Sequence, residues 1–237
     1  MQKKVLAVAA VLALFVCGGA FAQEAEAPAA ESSGGGSSIL DTMYAGLDLG
    51  LGSISGLGDD PQPNGFLLSP KVGIAPITKL PKLAFQFGFD MVFGIIQEGY
   101  GYSGVRAEHK TNLFLPYIGA TWTFSDWVVR PYLGLGFGVA FETNESYEGK
   151  VNENQTVSFD VETDASFATK IAAGAKYAIP NTNFELNVEF ALSFFNPQRK
   201  QTITTTYSYS TDKKVQTYNT GDFGLLSNMV IGAVYHF

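Results

Sequence analysis

The sequence contains little cysteine and little charge, and each shortage limits what the protein can be. Its single cysteine, Cys17, lies near the N-terminus, so a chain that loses this segment has no thiol for a disulfide or for thiolate chemistry. Charged residues make up only 16% of the chain, against about 25% in ordinary soluble domains. A formal net charge of −7, with no basic stripe, disfavours nucleic acid as a partner.

Long hydrophobic runs are also missing after the first residues. Every apolar stretch there is interrupted by glycine, proline or a polar residue, typically at every second position. This pattern does not predict a transmembrane helix. If the mature chain lies in a membrane, it must cross it as β-strands.

The N-terminus has the pattern of a secretory signal peptide. Lys3 and Lys4 precede an apolar run over 5–16, and the small residues Ala20 and Ala22 occupy the positions read by a signal peptidase. We therefore predict a signal peptide over 1–22. Cys17 is an alternative site for lipid attachment, although the bulky Val16 before it is unfavourable. Residues 23–41, rich in Ala, Glu, Ser and Gly, are expected to form a disordered periplasmic linker.

The remaining chain, 42–237, repeats one pattern eight times: apolar residues alternate with small or polar ones. The runs cover 43–52, 67–77, 83–95, 112–124, 128–141, 166–179, 184–194 and 223–237. Most are 10–14 residues long, which is enough for a tilted strand to cross a bilayer. Three connections are short and four are long, as in outer-membrane barrels with short periplasmic turns and long extracellular loops.

We predict an all-β fold, an eight-stranded antiparallel transmembrane β-barrel. The alternative is a soluble barrel of lipocalin type, in which the apolar face points inward. Aromatic residues at the ends of the runs favour the membrane, because such residues form girdles at the two membrane interfaces. The girdle on the short-turn side is predicted to contain Trp122, Phe124, Trp127, Tyr177, Tyr235 and Phe237.

The signal peptide, the eight strands and the terminal Phe237, with Tyr235 two residues before it, resemble the small outer-membrane β-barrel family that includes the OmpA membrane domain, OmpX/Ail and OmpW. The resemblance implies that Tyr235 and Phe237 act as an assembly signal for the barrel assembly machinery. It also implies a Gram-negative-type outer membrane, with outer-membrane lipids and lipopolysaccharide-type lipids as surroundings. The family includes adhesins, anchors, narrow channels and a few lipid A enzymes, so it does not fix the function.

Equal numbers of acidic and basic residues fall on the inward face of the predicted strands. Buried charges must be paired, and an eight-stranded barrel is just wide enough for its side chains, so we expect a structural ion-pair network that fills the lumen rather than a conduction path. The predicted members are Asp48, Lys71, Asp90, Arg130, Lys170, Lys176, Glu185 and Glu189.

Catalysis and metal binding have little support in the sequence. The two histidines, His109 in a long connection and His236 at the periplasmic end of the lumen, do not belong to a Ser-His-acid arrangement. The glycine-rich segments "GLGSISG" and "GLGFG" are not followed by a helix, so they do not predict a phosphate loop. We expect no catalytic residues, no metal site and no cofactor.

The third long connection is acidic, and the phase of Val157, Phe159 and Val161 matches that of the sixth run. We therefore predict that 156–164 is a strand that extends the sixth barrel strand, with 202–210 pairing beside it. A projecting β-edge can bind a partner by strand addition. The expected function is that of a monomeric, non-enzymatic protein with a role in surface interaction, adhesion or envelope structure, and an extracellular protein as partner. The alternative is a narrow, porin-like channel, similar to OmpW, for small or hydrophobic molecules.

Overall fold

The structure is a computed structural model that describes residues 42–55, 64–77, 82–100, 106–124, 127–143, 147–152, 154–207, 213–221 and 223–237. The predicted signal peptide and linker lie outside these residues. Within them, no helix is long and apolar enough to cross a membrane. The chain forms twelve strands there: β1 Met43–Ser55, β2 Asn64–Ile77, β3 Lys82–Tyr100, β4 Arg106–Thr123, β5 Val129–Glu142, β6 Tyr147–Asn152, β7 Gln155–Thr163, β8 Ser166–Ala178, β9 Phe184–Phe195, β10 Gln198–Tyr207, β11 Lys213–Gly221 and β12 Gly224–His236.

Eight of these strands close into an antiparallel barrel in the order β1, β12, β9, β8, β5, β4, β3, β2. The predicted fold class is therefore confirmed, and each of the eight predicted runs overlaps one barrel strand. The first and last strands pair from Tyr44 and His236 to Ser55 and Leu225. Because this pairing closes the sheet on itself, the barrel has no free edge.

The two faces of the barrel have opposite chemistry. Outward-facing Ile118, Met229 and Ile231 are 61–65% exposed. Inward-facing Asp48 and Asp90 are 2% and 1% exposed. A soluble barrel would have the reverse arrangement, because a contiguous apolar surface of this size is not stable in water. The lipocalin-type alternative is therefore wrong, and the apolar face is the lipid-facing one.

The three short connections lie at the end of the barrel that contains both Thr42 and Phe237. In the turn between β8 and β9, Asn181 has a φ of 61°, a left-handed conformation that asparagine tolerates better than most residues. The Thr182 hydroxyl donates to the Ile179 carbonyl at 2.9 Å and accepts from the Phe184 amide at 3.2 Å. The backbone groups of this turn are thus satisfied locally, so no longer loop is needed.

The opposite end differs from the sequence-based expectation, because most of the predicted long loops are strands. β3 and β4 stay paired as far as Tyr100 and Arg106, well beyond the predicted runs. The connections after β5 and β9 form two hairpins, β6–β7 and β10–β11, which join into one four-stranded sheet in the order β11, β10, β7, β6. We call this the surface sheet. β10 is rich in threonine, which favours strand structure, and the alternating positions Val157, Phe159 and Val161 of β7 lie on one face of the sheet.

The predicted strand over 156–164 is confirmed as β7, apart from Asp164. It pairs with β10, for example through Asp160 and Thr202, as expected from the sequence. The predicted extension of the sixth barrel strand is not one continuous strand, although β7 pairs with β10 as β8 pairs with β9. Asp164 and Ala165 separate β7 from β8, and the Asp164 amide donates to the Gln198 carbonyl at 2.9 Å. This break lets β7 join the surface sheet instead of the barrel wall.

Candidate functional site

The lumen is the part of the barrel that decides between a channel and a closed protein, and its side chains form three layers. The mouth layer lies at the short-turn end and contains Tyr44, Arg130, Lys176, Glu185 and His236. The ionic layer lies above it and contains Asp48, Lys71, Asp90, Lys170 and Glu189. The apolar layer lies in the outer half and contains Ile54, Leu67, Val92, Leu113, Leu115 and Leu226.

Glu185 is the centre of the mouth layer. Its carboxylate, 4% exposed, accepts a hydrogen bond from Arg130. The Lys176 ammonium lies 3.7 Å from the second oxygen of Glu185, and the His236 imidazole lies 3.9 Å from the first. Lys176 also lies 5.0 Å from the centre of the Tyr132 ring. Two basic side chains therefore share one carboxylate at this level of the lumen.

In the ionic layer, Asp48 of β1 is hydrogen-bonded by side chains from two other strands. Its carboxylate accepts from the Lys71 ammonium at 2.7 Å and from the Asn187 side-chain amide at 3.2 Å. Gly232 lies beside Asp48, and a Cβ at this position would overlap the carboxylate. The glycine is therefore required by the packing of the buried ion pair.

Lys170 joins the other members of the ionic layer. Its ammonium donates to Asp90 at 2.7 Å and lies 3.5 Å from Glu189. The two carboxylates also accept from Ser69 at 2.5 Å and from Tyr132 at 2.7 Å. Each of these acceptors is almost fully buried, so the hydrogen bonds offset part of the cost of removing the charges from water.

Three tyrosines fill the lumen beside these charges, and each lies directly across a glycine on the neighbouring strand. The pairs are Tyr44 with Gly73, Tyr117 with Gly88, and Tyr132 with Gly174. A Cβ at any of the three glycines would overlap the opposite ring. The glycine-rich inner face thus leaves space for aromatic rings that cross the narrow barrel.

The apolar layer closes the outer half of the lumen. Its six members, which come from five barrel strands, are all 0–1% exposed, and Ala140, Ala168 and Phe195 pack with them. Side chains of this kind exclude water and ions when they interdigitate. Any path from the ionic layer to the outside must therefore pass through a packed hydrophobic core.

The structure brings all eight sequence-predicted lumenal charges into ion pairs, at the two levels just described. The apolar layer was not predicted from the sequence, and neither was the packing of the three inward-facing tyrosines against glycines. Leu113 and Leu115 share the inward phase of Tyr117, and this phase was the signal that could have found them. The predicted girdle residues all belong to the outer surface near the short turns, where Trp122, Phe124 and Trp127 are 50–76% exposed.

The remaining predicted features do not form a reactive centre among the described residues. His109 pairs through its backbone with Gln97, and its side chain lies outside the description. His236 lies beside Glu185 and 5.8 Å, between ring centroids, from Tyr44. In the part of the chain that the structure covers, no group of three or more His, Cys, Asp or Glu side chains is arranged to hold a metal ion.

Comparison with known proteins gives one family and several similar folds. The sequence profile of the family described as "Outer membrane protein beta-barrel domain" matches residues 8–237. No curated protein sequence matches the chain.

Among solved structures, Neisserial surface protein A is 15% identical and has a TM-score of 0.54, over 82% of this chain and 97% of that one. The outer membrane protease OmpT from Escherichia coli is 10% identical and has a TM-score of 0.51, over 84% of this chain and 97% of that one. At these identities the similarity is one of fold.

Proposed function

Because the chain belongs to the outer membrane protein β-barrel family, we propose that it is a closed, non-enzymatic barrel that presents the surface sheet to an extracellular partner. The observation that carries the proposal is the filled lumen: the apolar layer closes the outer half, and ion pairs fill the middle. With the lumen closed, the parts of the protein left for a specific role are those that project from the membrane.

The surface sheet is suited to binding another protein. Among the described strands, β6 pairs with β7 and also lies against β4, whereas β11 pairs with β10 alone, so β11 is the candidate edge for a partner. One face carries Thr202, Thr204 and Thr206 of β10 beside Ser158 and Asp160 of β7. Such a polar face avoids aggregation, and a free edge can accept a partner strand through backbone hydrogen bonds.

The channel alternative has less support. A narrow pore requires a continuous polar or open path, whereas Leu67, Val92 and Leu113 are fully buried in the outer half of the lumen. A cavity of about 70 Å³ lies at the mouth layer, but it is lined by residues of one end of the barrel only. It is therefore a vestibule that leads from the periplasm into the lumen and ends below the ionic layer.

Membership of the family also supports proposals for the export, assembly and membrane anchoring of the protein. Residues 1–22 direct export and are cleaved, and Tyr235 and Phe237 serve as the assembly signal at the end of β12. The aromatic girdle anchors a monomeric barrel among outer-membrane and lipopolysaccharide-type lipids. The rings of Tyr235 and Phe237 are in edge contact, 5.3 Å between centroids, at the C-terminal end of the chain. This aromatic pair supports the proposed assembly signal.

The surface display can be tested with cysteines, because the only native cysteine is Cys17. Thr217→Cys places a thiol on exposed β11, and Asn183→Cys places one in the exposed β8–β9 turn. We expect a membrane-impermeant maleimide to label Thr217→Cys on intact cells and Asn183→Cys only after the outer membrane is permeabilised. Labelling of Asn183→Cys alone on intact cells would overturn the proposal.

A further inference from the structure

The vestibule at the periplasmic end of the barrel has the composition of a binding site for an anion. Its 70 Å³ are lined by Tyr44, Lys82, Arg130, Lys176, Glu185 and His236, together with small and apolar residues. One buried water needs about 10–15 Å³ of such space. The vestibule can therefore hold a group of several heavy atoms, such as a phosphate or a carboxylate.

Charge is distributed unevenly along the lumen. The mouth layer has Arg130 and Lys176 against Glu185, a net charge of +1. The ionic layer above it has two cations, Lys71 and Lys170, and three carboxylates, a net charge of −1. The vestibule is thus positive while the lumen behind it is negative, so an anion is attracted to the mouth and stopped there.

The hydrogen bonding of the mouth layer is incomplete among the described residues. The Nε of Arg130 and the Oε1 of Glu185 are both buried and have no hydrogen-bond partner there, so Arg130 Nε is the donor that only an added group can satisfy. The Lys176 ammonium is 3.7 Å from Glu185, which is longer than a hydrogen bond, although the side chain of Lys176 is only 16% exposed. Buried donors of this kind are normally satisfied in native proteins, so a bound group is expected beside them.

We propose that the vestibule binds a small oxyanion, with Arg130 and Lys176 as the main donors and Lys82 at the rim. An oxyanion can accept from the Nε of Arg130 and from the Lys176 ammonium while Glu185 keeps its contact with the other end of the guanidinium. The planar guanidinium suits this double role, because its donors point in different directions. The Tyr44 and Tyr132 rings limit the depth to which the anion can enter.

The test is a phosphate titration of the ¹⁵N-labelled protein refolded in lipid nanodiscs, at constant ionic strength with chloride as the balancing ion. The chain has three arginines, Arg106, Arg130 and Arg199, so three Nε–Hε signals are expected and Arg130→Lys assigns one of them. We expect the Arg130 signal to shift and saturate with phosphate and not with chloride. Absence of a saturable shift would overturn the proposal.

Matched variants separate binding from folding. Lys176→Gln should weaken phosphate binding about tenfold or more, since a charge-assisted hydrogen bond is lost. Lys200→Gln is the control, because Lys200 pairs with Glu162 on the exposed surface sheet, and it should leave the affinity unchanged. If Lys176→Gln does not refold, Lys82→Gln is expected to weaken binding in the same direction. Equal effects of the vestibule and control variants would contradict a site at the mouth.

Two further titrations distinguish the possible sources of the oxyanion. Acetate replaces phosphate in one, and saturation by both would identify the shared oxyanion chemistry. In the other, Glu24, Glu26 and Glu31 of the predicted linker are changed together to Gln. Tighter phosphate binding by this variant would mean that the chain's own carboxylates occupy the site, whereas unchanged binding would mean that the oxyanion comes from outside the chain.

Discussion

Lys170 holds together the part of the lumen in which charge is most concentrated. Its ammonium lies 2.7 Å from Asp90, 3.5 Å from Glu189 and 4.2 Å from the centre of the Tyr117 ring. Without it, two buried carboxylates would lack their cation. Breaking a buried ion pair from one side costs more than the pair itself contributes, because an uncompensated charge stays behind.

We therefore expect Lys170→Met to lower the free energy of unfolding by about 3–5 kcal/mol. Denaturant unfolding of the refolded protein in lipid vesicles, followed by tryptophan fluorescence, measures this change. Lys200→Met is the matched control, because its ion pair with Glu162 is 53% and 71% exposed and should contribute about 0–1 kcal/mol. Similar losses in the two variants would contradict the account of the ionic layer.

The pairing of lumenal tyrosines with glycines gives a second test at this scale. Gly88→Ala forces a methyl group into the Tyr117 ring, and overpacking of this kind costs about 1–3 kcal/mol. In a Tyr117→Leu background the same change should cost clearly less, because the ring is gone. A double-mutant cycle of unfolding free energies measures the difference. Additive effects would show that the two residues do not touch.

The inward orientation of the charged residues could be predicted from the sequence, because alternation assigns a face to every residue of a strand. Their partners could not, since Lys71 with Asp48 and Lys170 with Asp90 depend on the register between strands. Register also decides that Tyr117 lies across Gly88. A single shift of two residues would preserve every face and change every pair.

β10 is the element that makes the surface sheet one unit. It pairs with β7 on one side and β11 on the other, and so joins two hairpins that are far apart in the sequence. The Lys200–Glu162 ion pair, at 3.3 Å, lies across the β7–β10 seam. The sheet should therefore be lost as a whole when β10 is disrupted.

Thr204→Pro tests this dependence, because proline in a central strand removes a ladder hydrogen bond. We expect amide hydrogen exchange over 155–163 to become fast while exchange in β5 and β8 stays slow. Thr206→Val, which keeps the backbone donor and a β-branched side chain, is the control and should leave exchange unchanged. Slow exchange in β7 of the proline variant would mean that the hairpins are stable independently.

The eight barrel strands could be predicted from the sequence, whereas β6, β10 and β11 could not be recognised as complete strands. The difference lies in the surroundings of the two kinds of strand. Barrel strands have lipid on one side, so their outward residues must be apolar and the alternation is strong. The surface sheet meets water, and a strand such as "QRKQTITTTY" needs no apolar face. The burial of Thr205, and of Val157 directly across from it on β7, shows which face is turned inward.

The orientation of the barrel wall predicts the effect of a charge on its outer face. Leu135 on β5 is 49% exposed on that face, near the middle of its strand. Leu135→Arg should lower the free energy of unfolding in a bilayer by about 2–4 kcal/mol. Thr217→Arg on the surface sheet should have little effect in the same assay. A harmless Leu135→Arg would contradict the assignment of this face to lipid.

The whole molecule is a barrel with a positive vestibule at one end, ion pairs in the middle, a hydrophobic core in the outer half and a four-stranded sheet beyond it. The ion pairs alone were expected to fill the lumen. The structure adds a second closure, because Ile54, Leu115 and Leu226 are buried independently of any charge. Removal of one charged side chain should thus be insufficient to open the barrel.

The measurement that tests this account most directly is the single-channel conductance of the refolded protein in a planar bilayer, beside its Arg130→Ala variant. We predict that both proteins are silent, because the apolar layer stays closed when the mouth layer is disturbed. Steady, reproducible ion steps from the unaltered protein would contradict the closed lumen and would favour the narrow channel.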